Sequence, residues 1–174
     1  MDLAVSSKVV FLDRDGVINA LVERDGKMVS PRVFRDFQVL QGVGESINIL
    51  RNENFEIVVV TNQPDISRGL MLQTELDQMT NAVSELGVHQ VLICPHSDED
   101  ACLCRKPRPG LLKQYLDSIE SEPTQLWMIG DSEIDMQAGT KVGAKTIFIT
   151  STKQIEGAMA TATTLFEAVS FLLK

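Results

Sequence analysis

Two aspartates separated by one residue follow a short apolar run near the beginning of the chain. Residues 9–12 are Val-Val-Phe-Leu and lead into Asp13-Arg14-Asp15-Gly16, a pattern typical of a buried strand that ends in a turn. Side chains alternate between the faces of a strand, so Asp13 and Asp15 can project in the same direction. We expect one carboxylate to act as a nucleophile and the other as a proton donor, with a divalent cation beside them. On its own, the pattern also fits a capped turn or a calcium loop.

The remaining polar candidates follow other apolar runs. Thr61 and Asn62 come after Ile57-Val58-Val59-Val60, and Gly130-Asp131 comes after Leu126-Trp127-Met128-Ile129. In parallel sheets, sites lie beyond the carboxyl ends of the strands, so these side chains are expected to meet. A hydroxyl and an amide can hold a phosphoryl oxygen. Three carboxylates in one crevice repel one another and need a cation, which Mg²⁺ together with Lys106 would supply.

Strands and helices alternate along the chain. Strands are predicted over 9–12, 56–60, 90–93, 125–129 and 146–149, and helices over 42–52, 72–86, 109–119, 132–142 and 164–173. Residues 18–37 lack clear periodicity and are predicted to be irregular, with a polar turn at 23–27 and a small hairpin near the site. The alternation predicts an α/β fold, doubly wound, with a mostly parallel sheet of five or six strands covered on both faces.

Bulk composition limits the range of functions. A chain of 174 residues with 44% hydrophobic residues fits a single domain over 1–174 with a packed core, and the segments between the candidate residues are too short for a large cap domain. A net charge of −8 argues against nucleic-acid binding, although local cations still permit an anionic substrate. No run reaches the ~18–20 apolar residues of a membrane span, and residues 1–8 do not resemble a signal peptide. We expect a cytoplasmic monomer without membrane association.

All three cysteines and one of the two histidines lie in the segment 94–104. Cys94, His96, Cys102 and Cys104 form the pattern C-x-H-x5-C-x-C, a complete tetrahedral ligand set for zinc. Four protein ligands leave no position for water, so a structural zinc is predicted. The alternative is a disulfide with a bystander histidine, which a reducing cytosol disfavours. The loop leads directly into Arg105-Lys106, so a bound zinc would fix how these cations enter the site.

In this order and at these strand ends, the motifs resemble those of the haloacid dehalogenase (HAD)-like phosphatases over nearly the whole chain. The resemblance implies that Asp13 attacks phosphorus to form an aspartyl-phosphate. It implies that Asp15 protonates the leaving alkoxide and then activates water. Mg²⁺ would bind Asp13, the backbone carbonyl of Asp15, and Asp131. Thr61 and Lys106 would compensate the charge of the transferring phosphoryl group.

The cysteine loop narrows the resemblance to the small heptose bisphosphate phosphatases and the related histidinol-phosphatases. The segments 13–19 and 104–110 continue as in the heptose branch. That branch implies a small sugar bisphosphate as substrate, with Arg105 contributing to its recognition. The residues implied to line the phosphate pocket are Thr61, Asn62 and Gln63.

Four positions leave details open. Ser132 stands where some heptose phosphatases have Lys, and Pro64-Asp65 stands where Ser-Gly is more usual, which leaves the fine substrate choice undecided. Arg68 could reach a second substrate phosphate or pair with a surface acid. Asp135 could be a further metal ligand or a helix N-terminal acid favoured by the macrodipole.

Two other functions compete with a sugar bisphosphate phosphatase. One is a histidinol-phosphate phosphatase, and the other is a non-catalytic, zinc-stabilised binding module. The module is disfavoured because a mere scaffold has no physical reason to gather repelling carboxylates beside Thr61 and Lys106.

Overall fold

A six-stranded parallel sheet forms the centre of the protein, which is described by a computed structural model over residues 7–152 and 158–174. Its strands are β1 (Lys8–Leu12), β4 (Phe55–Asn62), β5 (Gln90–Cys94), β6 (Gln125–Gly130), β7 (Lys145–Ile149) and β8 (Ala160–Ala162). Their order across the sheet is β5-β4-β1-β6-β7-β8. A separate antiparallel hairpin consists of β2 (Val22–Arg24) and β3 (Lys27–Val29).

Helices cover both faces of the sheet. They are α1 (Val43–Asn52), α2 (Gln73–Glu85), α3 (Gly110–Leu116), α4 (Glu133–Thr140) and α5 (Leu165–Leu172), and a single 3₁₀ turn spans Phe34–Asp36. The alternation of side chains along each strand supplies two apolar layers. Val10 and Leu12 of β1 pack in the layer that contains residues of α1 and α5. Val9 and Phe11 pack in the opposite layer with residues of α3 and α4.

The predicted doubly wound α/β fold is confirmed, with six strands. Several element boundaries differ from the prediction, and one strand is additional. β4 continues to Asn62 and α3 ends at Leu116. β8 was not predicted, because Ala160-Thr161-Ala162 is short and alanine has little strand preference; its pairing with β7 determines its conformation.

The segment 18–37 holds the hairpin that the polar turn suggested. Asp25 and Gly26 connect β2 to β3 with φ angles of 53° and 72°, and two consecutive positive φ values are those of the tight turns that suit hairpin twist. Met28 and Val29 of β3 lie in the wall of the cavity described below. No helix in the described ranges has the length and hydropathy needed to cross a bilayer.

Candidate active site and metal-ligand clusters

The carboxyl ends of β1, β4 and β6 meet at one edge of the sheet because β1 lies between the other two strands. A cavity of about 250 Å³ opens there. The residues of its wall that the sequence singled out are Asp13, Asp15, Thr61, Asn62, Lys106 and Asp131. The convergence predicted from the strand ends is therefore present.

Lys106 lies at the centre of the acidic cluster. Its Nζ is 2.8 Å from Asp13 Oδ1 and 2.6 Å from Asp135 Oδ1, and it donates a hydrogen bond of 2.7 Å to the Val60 carbonyl. Burial alone would lower the pKa of this lysine, but the two carboxylates raise it well above its usual range. Lys106 is therefore a fixed positive charge, although only 2% of the residue is exposed.

One ammonium does not neutralise the carboxylates around it. Burial, followed by repulsion from Asp135, raises the pKa of Asp13 to about 8, and the same two causes raise that of Asp131 to about 6. Ligand atoms of Asp13, Asp131 and Asp135 lie within 4.8 Å of one another. Hard oxygen ligands with surplus negative charge are the donor set that suits Mg²⁺, so the residues present fit this ion.

Gly16 makes room for the Asp131 carboxylate. Its φ is +82°, and a Cβ at this position would collide with the Asp131 carboxylate. Only glycine adopts this conformation readily and also leaves the space open. The Gly in the first motif therefore determines where a residue of another strand can lie.

The carboxylate of Asp15 is held from three sides. Arg14 Nη2 lies 3.0 Å from both of its oxygens, Asn19 Nδ2 donates to Oδ1 at 2.9 Å, and Gln63 Nε2 donates to Oδ2 at 2.7 Å. Arg14 is only 1% exposed, and its guanidinium lies 5.8 Å from the centre of the Phe37 ring. Sequence reasoning assigned no role to Arg14 or Asn19.

Asn62 and Gln63, predicted to line the phosphate pocket, both support neighbouring residues. Asn62 donates to the Lys106 carbonyl at 3.0 Å and accepts from the Lys106 amide at 3.1 Å, so it ties the lysine backbone to the end of β4. Gln63 is 1% exposed and reaches Thr61 Oγ1 at 2.8 Å as well as Asp15. Asn62 also lines the catalytic cavity, whereas Gln63 lies behind Asp15 and lines an adjoining cavity.

Asp135 serves the beginning of α4 as well as the acidic cluster. Its Oδ2 accepts hydrogen bonds from the Ser132 hydroxyl at 2.6 Å and from the Ser132 amide at 3.2 Å, which forms a capping box. Its Oδ1 faces Lys106. The buried Asp135 side chain therefore lies at the helix N-terminus, as one of the two sequence alternatives expected, and a role as a metal ligand stays a prediction.

The two arginines with predicted or open roles both pair with acids. Arg105 Nε lies 2.6 Å from Asp98 Oδ1, and Arg105 does not belong to the wall of the catalytic cavity. Arg68 Nη1 lies 3.5 Å from Asp65 Oδ1. Arg68 also lines the cavity next to the catalytic one.

Cys94, His96, Cys102 and Cys104 form a second cluster. The Sγ–Sγ distances are between 3.2 and 3.6 Å, and His96 Nδ1 is 3.3 Å from Cys104 Sγ. Ligands about 2.3 Å from a tetrahedral zinc lie about 3.7 Å apart, so this spacing fits zinc. A disulfide needs sulfur atoms about 2.05 Å apart, and all three cysteines are free thiols.

The thiols of this cluster differ in acidity. Burial, together with the hydrogen bond to Cys104, raises the pKa of Cys94 to about 12. Burial also opposes ionisation of Cys102, but hydrogen bonds from Cys104, the Arg105 backbone and Cys94 outweigh it and lower the pKa of Cys102 to about 7. Cys102 is therefore the most acidic of the three thiols, and the thiolate is the form that binds metals.

The sequence is similar to those of known proteins. A sequence profile of the HAD-hydrolase-like family matches residues 103–167. The D-glycero-β-D-manno-heptose-1,7-bisphosphate 7-phosphatase of Haemophilus ducreyi is 33% identical over 155 residues, covering 82% of each chain. The enzyme of the same name from Helicobacter pylori strain 26695 is 32% identical over 147 residues, covering 80% of this chain and 82% of the relative.

A solved structure is similar as well. The D,D-heptose 1,7-bisphosphate phosphatase of B. bronchiseptica, crystallised with magnesium and phosphate, superposes with a TM-score of 0.79 at 27% identity. The similarity covers 95% of this chain and 98% of that one.

Replacing Lys106 should destabilise the fold. Lys106→Met leaves Asp13 and Asp135 as buried carboxylates without their cation, so the free energy of unfolding without added magnesium should fall by about 3 kcal/mol or more. Adding Asp135→Asn to this variant should recover part of the loss. Urea denaturation measures both effects.

Lys141→Met is the matched control, because Lys141 is exposed and only donates to the Pro107 carbonyl. A Lys106→Met variant no less stable than Lys141→Met would contradict the central role of this ammonium.

Proposed function

Because the chain belongs to the HAD-like phosphatase family that includes the D-glycero-β-D-manno-heptose-1,7-bisphosphate 7-phosphatases, we propose that it removes the 7-phosphate of a heptose 1,7-bisphosphate through an aspartyl-phosphate. Membership makes the chain a phosphoric monoester hydrolase, and the relatives named for a sugar bisphosphate support that substrate class for it. The observation that carries the finer proposal is the contact between Asp13 and Lys106, a carboxylate and a fixed cation, in the wall of one cavity.

The two oxygens of Asp13 have different surroundings. Oδ1 accepts hydrogen bonds from the Arg14 amide at 2.7 Å and from Lys106 at 2.8 Å. In the ranges 7–152 and 158–174, no donor reaches Oδ2 within hydrogen-bonding distance. We therefore assign the nucleophilic lone pair to Oδ2, while Oδ1 keeps the carboxylate in place.

Two balanced steps follow from this assignment. Asp13 Oδ2 forms a bond to phosphorus, the bond to the sugar oxygen breaks, and the Asp15 carboxyl group, which carries a proton when the cycle begins, gives that proton to the sugar oxygen. Asp15 then takes a proton from water, the water oxygen bonds to phosphorus, and the Asp13–phosphorus bond breaks. Arg14, Asn19 and Gln63 keep the Asp15 carboxylate in place through both steps.

Three groups stabilise the negative charge of the phosphoryl group during its transfer. The Lys106 ammonium and the Thr61 hydroxyl bind phosphoryl oxygens. Asp13, the backbone carbonyl of Asp15, and Asp131 would hold Mg²⁺, which would supply charge neutralisation at the phosphoryl oxygens. Asp135 orients Lys106 and caps α4.

The cysteine cluster is assigned to a structural zinc. Asn62 connects the end of β4 to the backbone of Lys106, immediately after Cys104 and Arg105. An ordered loop therefore limits where Lys106 can enter the site. Recognition of the substrate by Arg105 remains a prediction. To bind the substrate, the Arg105 side chain would have to leave its ion pair with Asp98.

Substrate preference tests the proposal. With magnesium present, kcat/KM should be much higher for heptose 1,7-bisphosphate than for histidinol phosphate, measured as initial phosphate release. A preference for histidinol phosphate would instead assign the chain to the competing function. The complete absence of phosphatase activity on both substrates and on 4-nitrophenyl phosphate would favour a binding module.

Asp13→Asn should lower kcat by at least about 1,000-fold, because the amide cannot attack phosphorus effectively. Stability should change little, since the asparagine oxygen still accepts from Lys106 and one repelling charge is lost. Phosphate release and thermal melting measure the two effects. Asp77→Asn, at an exposed position of α2, is the control and should leave the rate of phosphate release and the melting temperature unchanged. Near-normal turnover by Asp13→Asn would exclude Asp13 as the nucleophile.

Zinc removal should reduce turnover without unfolding the sheet. The purified protein should contain one zinc per chain by atomic absorption, and Cys102→Ser should lose it, while Glu99→Gln at an exposed position of the same loop should keep it. After chelation and restoration of excess magnesium, kcat on 4-nitrophenyl phosphate should fall while the far-ultraviolet circular dichroism stays native. A folded, zinc-free protein with full activity would refute the link between this loop and Lys106.

A further inference from the structure

One buried amide contacts two residues of the proposed reaction, one just beyond β1 and one in β4. Gln63 is 1% exposed, and its Nε2 donates hydrogen bonds to Asp15 Oδ2 at 2.7 Å and to Thr61 Oγ1 at 2.8 Å. A primary amide nitrogen carries two hydrogens. Both are therefore used within the protein, and this nitrogen has none left for a substrate.

The contact with Gln63 determines in which direction the Thr61 hydroxyl can donate. A hydroxyl oxygen has one hydrogen and two lone pairs, and the amide of Gln63 occupies one of these lone pairs. The hydroxyl hydrogen must therefore point away from Gln63. Thr61 lines the catalytic cavity, so an oxygen of a bound phosphoryl group can accept this hydrogen.

Asn19 offers a comparison, because its amide holds the same carboxylate by the other oxygen. Its Nδ2 donates to Asp15 Oδ1 at 2.9 Å and to the Ala20 carbonyl at 3.0 Å, and Asn19 is fully buried as well. Both hydrogens of this nitrogen are thus used without a contact to Thr61. In the described part of the chain, Gln63 alone donates to both Asp15 and Thr61.

We propose that Gln63 is a positioning residue that aligns Asp15 and Thr61 together on one phosphoryl group. The inference rests on the proposed function, in which Asp15 protonates the leaving sugar oxygen and Thr61 donates to a phosphoryl oxygen. One amide nitrogen limits the distance between these two groups, because both acceptors must stay within hydrogen-bonding reach of it. Gln63 thus acts on the reaction through these two side chains.

Two leaving groups separate the two effects of Gln63. Heptose 1,7-bisphosphate releases an alkoxide that needs the proton of Asp15, whereas 4-nitrophenyl phosphate releases a stable anion that does not. Both substrates need the Thr61 hydroxyl, because the same phosphoryl group is transferred. The value of kcat/KM reports the steps up to the aspartyl-phosphate, so it compares both contributions in the same part of the reaction.

Gln63→Met keeps the length of the side chain and removes both donors. It should lower kcat/KM by about tenfold on 4-nitrophenyl phosphate, through Thr61, and by about 100-fold or more on heptose 1,7-bisphosphate, through both neighbours. Asn19→Leu should cost less on 4-nitrophenyl phosphate than Gln63→Met does, because Asn19 does not contact Thr61. Gln78→Met removes an amide from an exposed position of α2 and should leave both values unchanged.

A double-mutant cycle tests whether Gln63 acts through Thr61. In the Thr61→Val background the hydroxyl is already absent, so Gln63→Met should change kcat/KM on 4-nitrophenyl phosphate by less than about threefold. Gln63→Glu keeps the size of the side chain but donates at most one hydrogen bond, so it should reproduce the pattern of Gln63→Met. Thermal melting and far-ultraviolet circular dichroism measure whether each variant is folded.

Any one of four results would overturn the proposal. They are an unchanged kcat/KM on 4-nitrophenyl phosphate in Gln63→Met, equal factors of loss on the two substrates, fully additive losses with Thr61→Val, or a loss on 4-nitrophenyl phosphate in Asn19→Leu or Gln78→Met as large as that in Gln63→Met. Failure of the underlying function would look different, because the wild-type enzyme itself would then not hydrolyse heptose 1,7-bisphosphate.

Discussion

The contact of one buried ammonium with two buried carboxylates is the interaction on which the rest of the site depends. Lys106 can be charged at 2% exposure only because Asp13 and Asp135 compensate its burial. The two acids, in turn, could not lie so close together without it. This mutual dependence links three parts of the chain that are distant in sequence: the end of β1, the segment after the cysteine loop and the beginning of α4.

Backbone connections convert that charge balance into a defined geometry. Asn62 binds both the amide and the carbonyl of Lys106. The end of β4 therefore determines the position of the Lys106 backbone. Ser132 holds Asp135 through the capping box. The Asp13 carboxylate is thus positioned by partners that themselves have little freedom, the arrangement expected of a group that must be held accurately.

Sequence patterns were sufficient for the sheet, the helices and the acidic strand ends, because hydrophobic periodicity and strand-end polarity are local signals. They were insufficient for Arg14 and Asn19, whose role depends on partners brought together only by folding. An arginine between two aspartates is usually solvated, and nothing local indicates that Arg14 is buried beneath the Phe37 ring. Gln63 was placed in the correct region, but its amide supports Asp15 and Thr61 instead of lining the catalytic cavity.

The hairpin β2–β3 lies outside the main sheet, and its two strands pair only with each other in the described part of the chain. Asp13, Thr61 and Asp131 lie at or directly after the ends of central strands, whereas Arg24 and Lys27 lie on this peripheral ribbon. Substitutions in the hairpin can therefore accumulate during evolution without disturbing the parallel sheet or the acidic cluster. The substrate range can therefore diverge within this fold through changes in the six strand residues of the hairpin. The residues of the acidic cluster can stay the same while this happens.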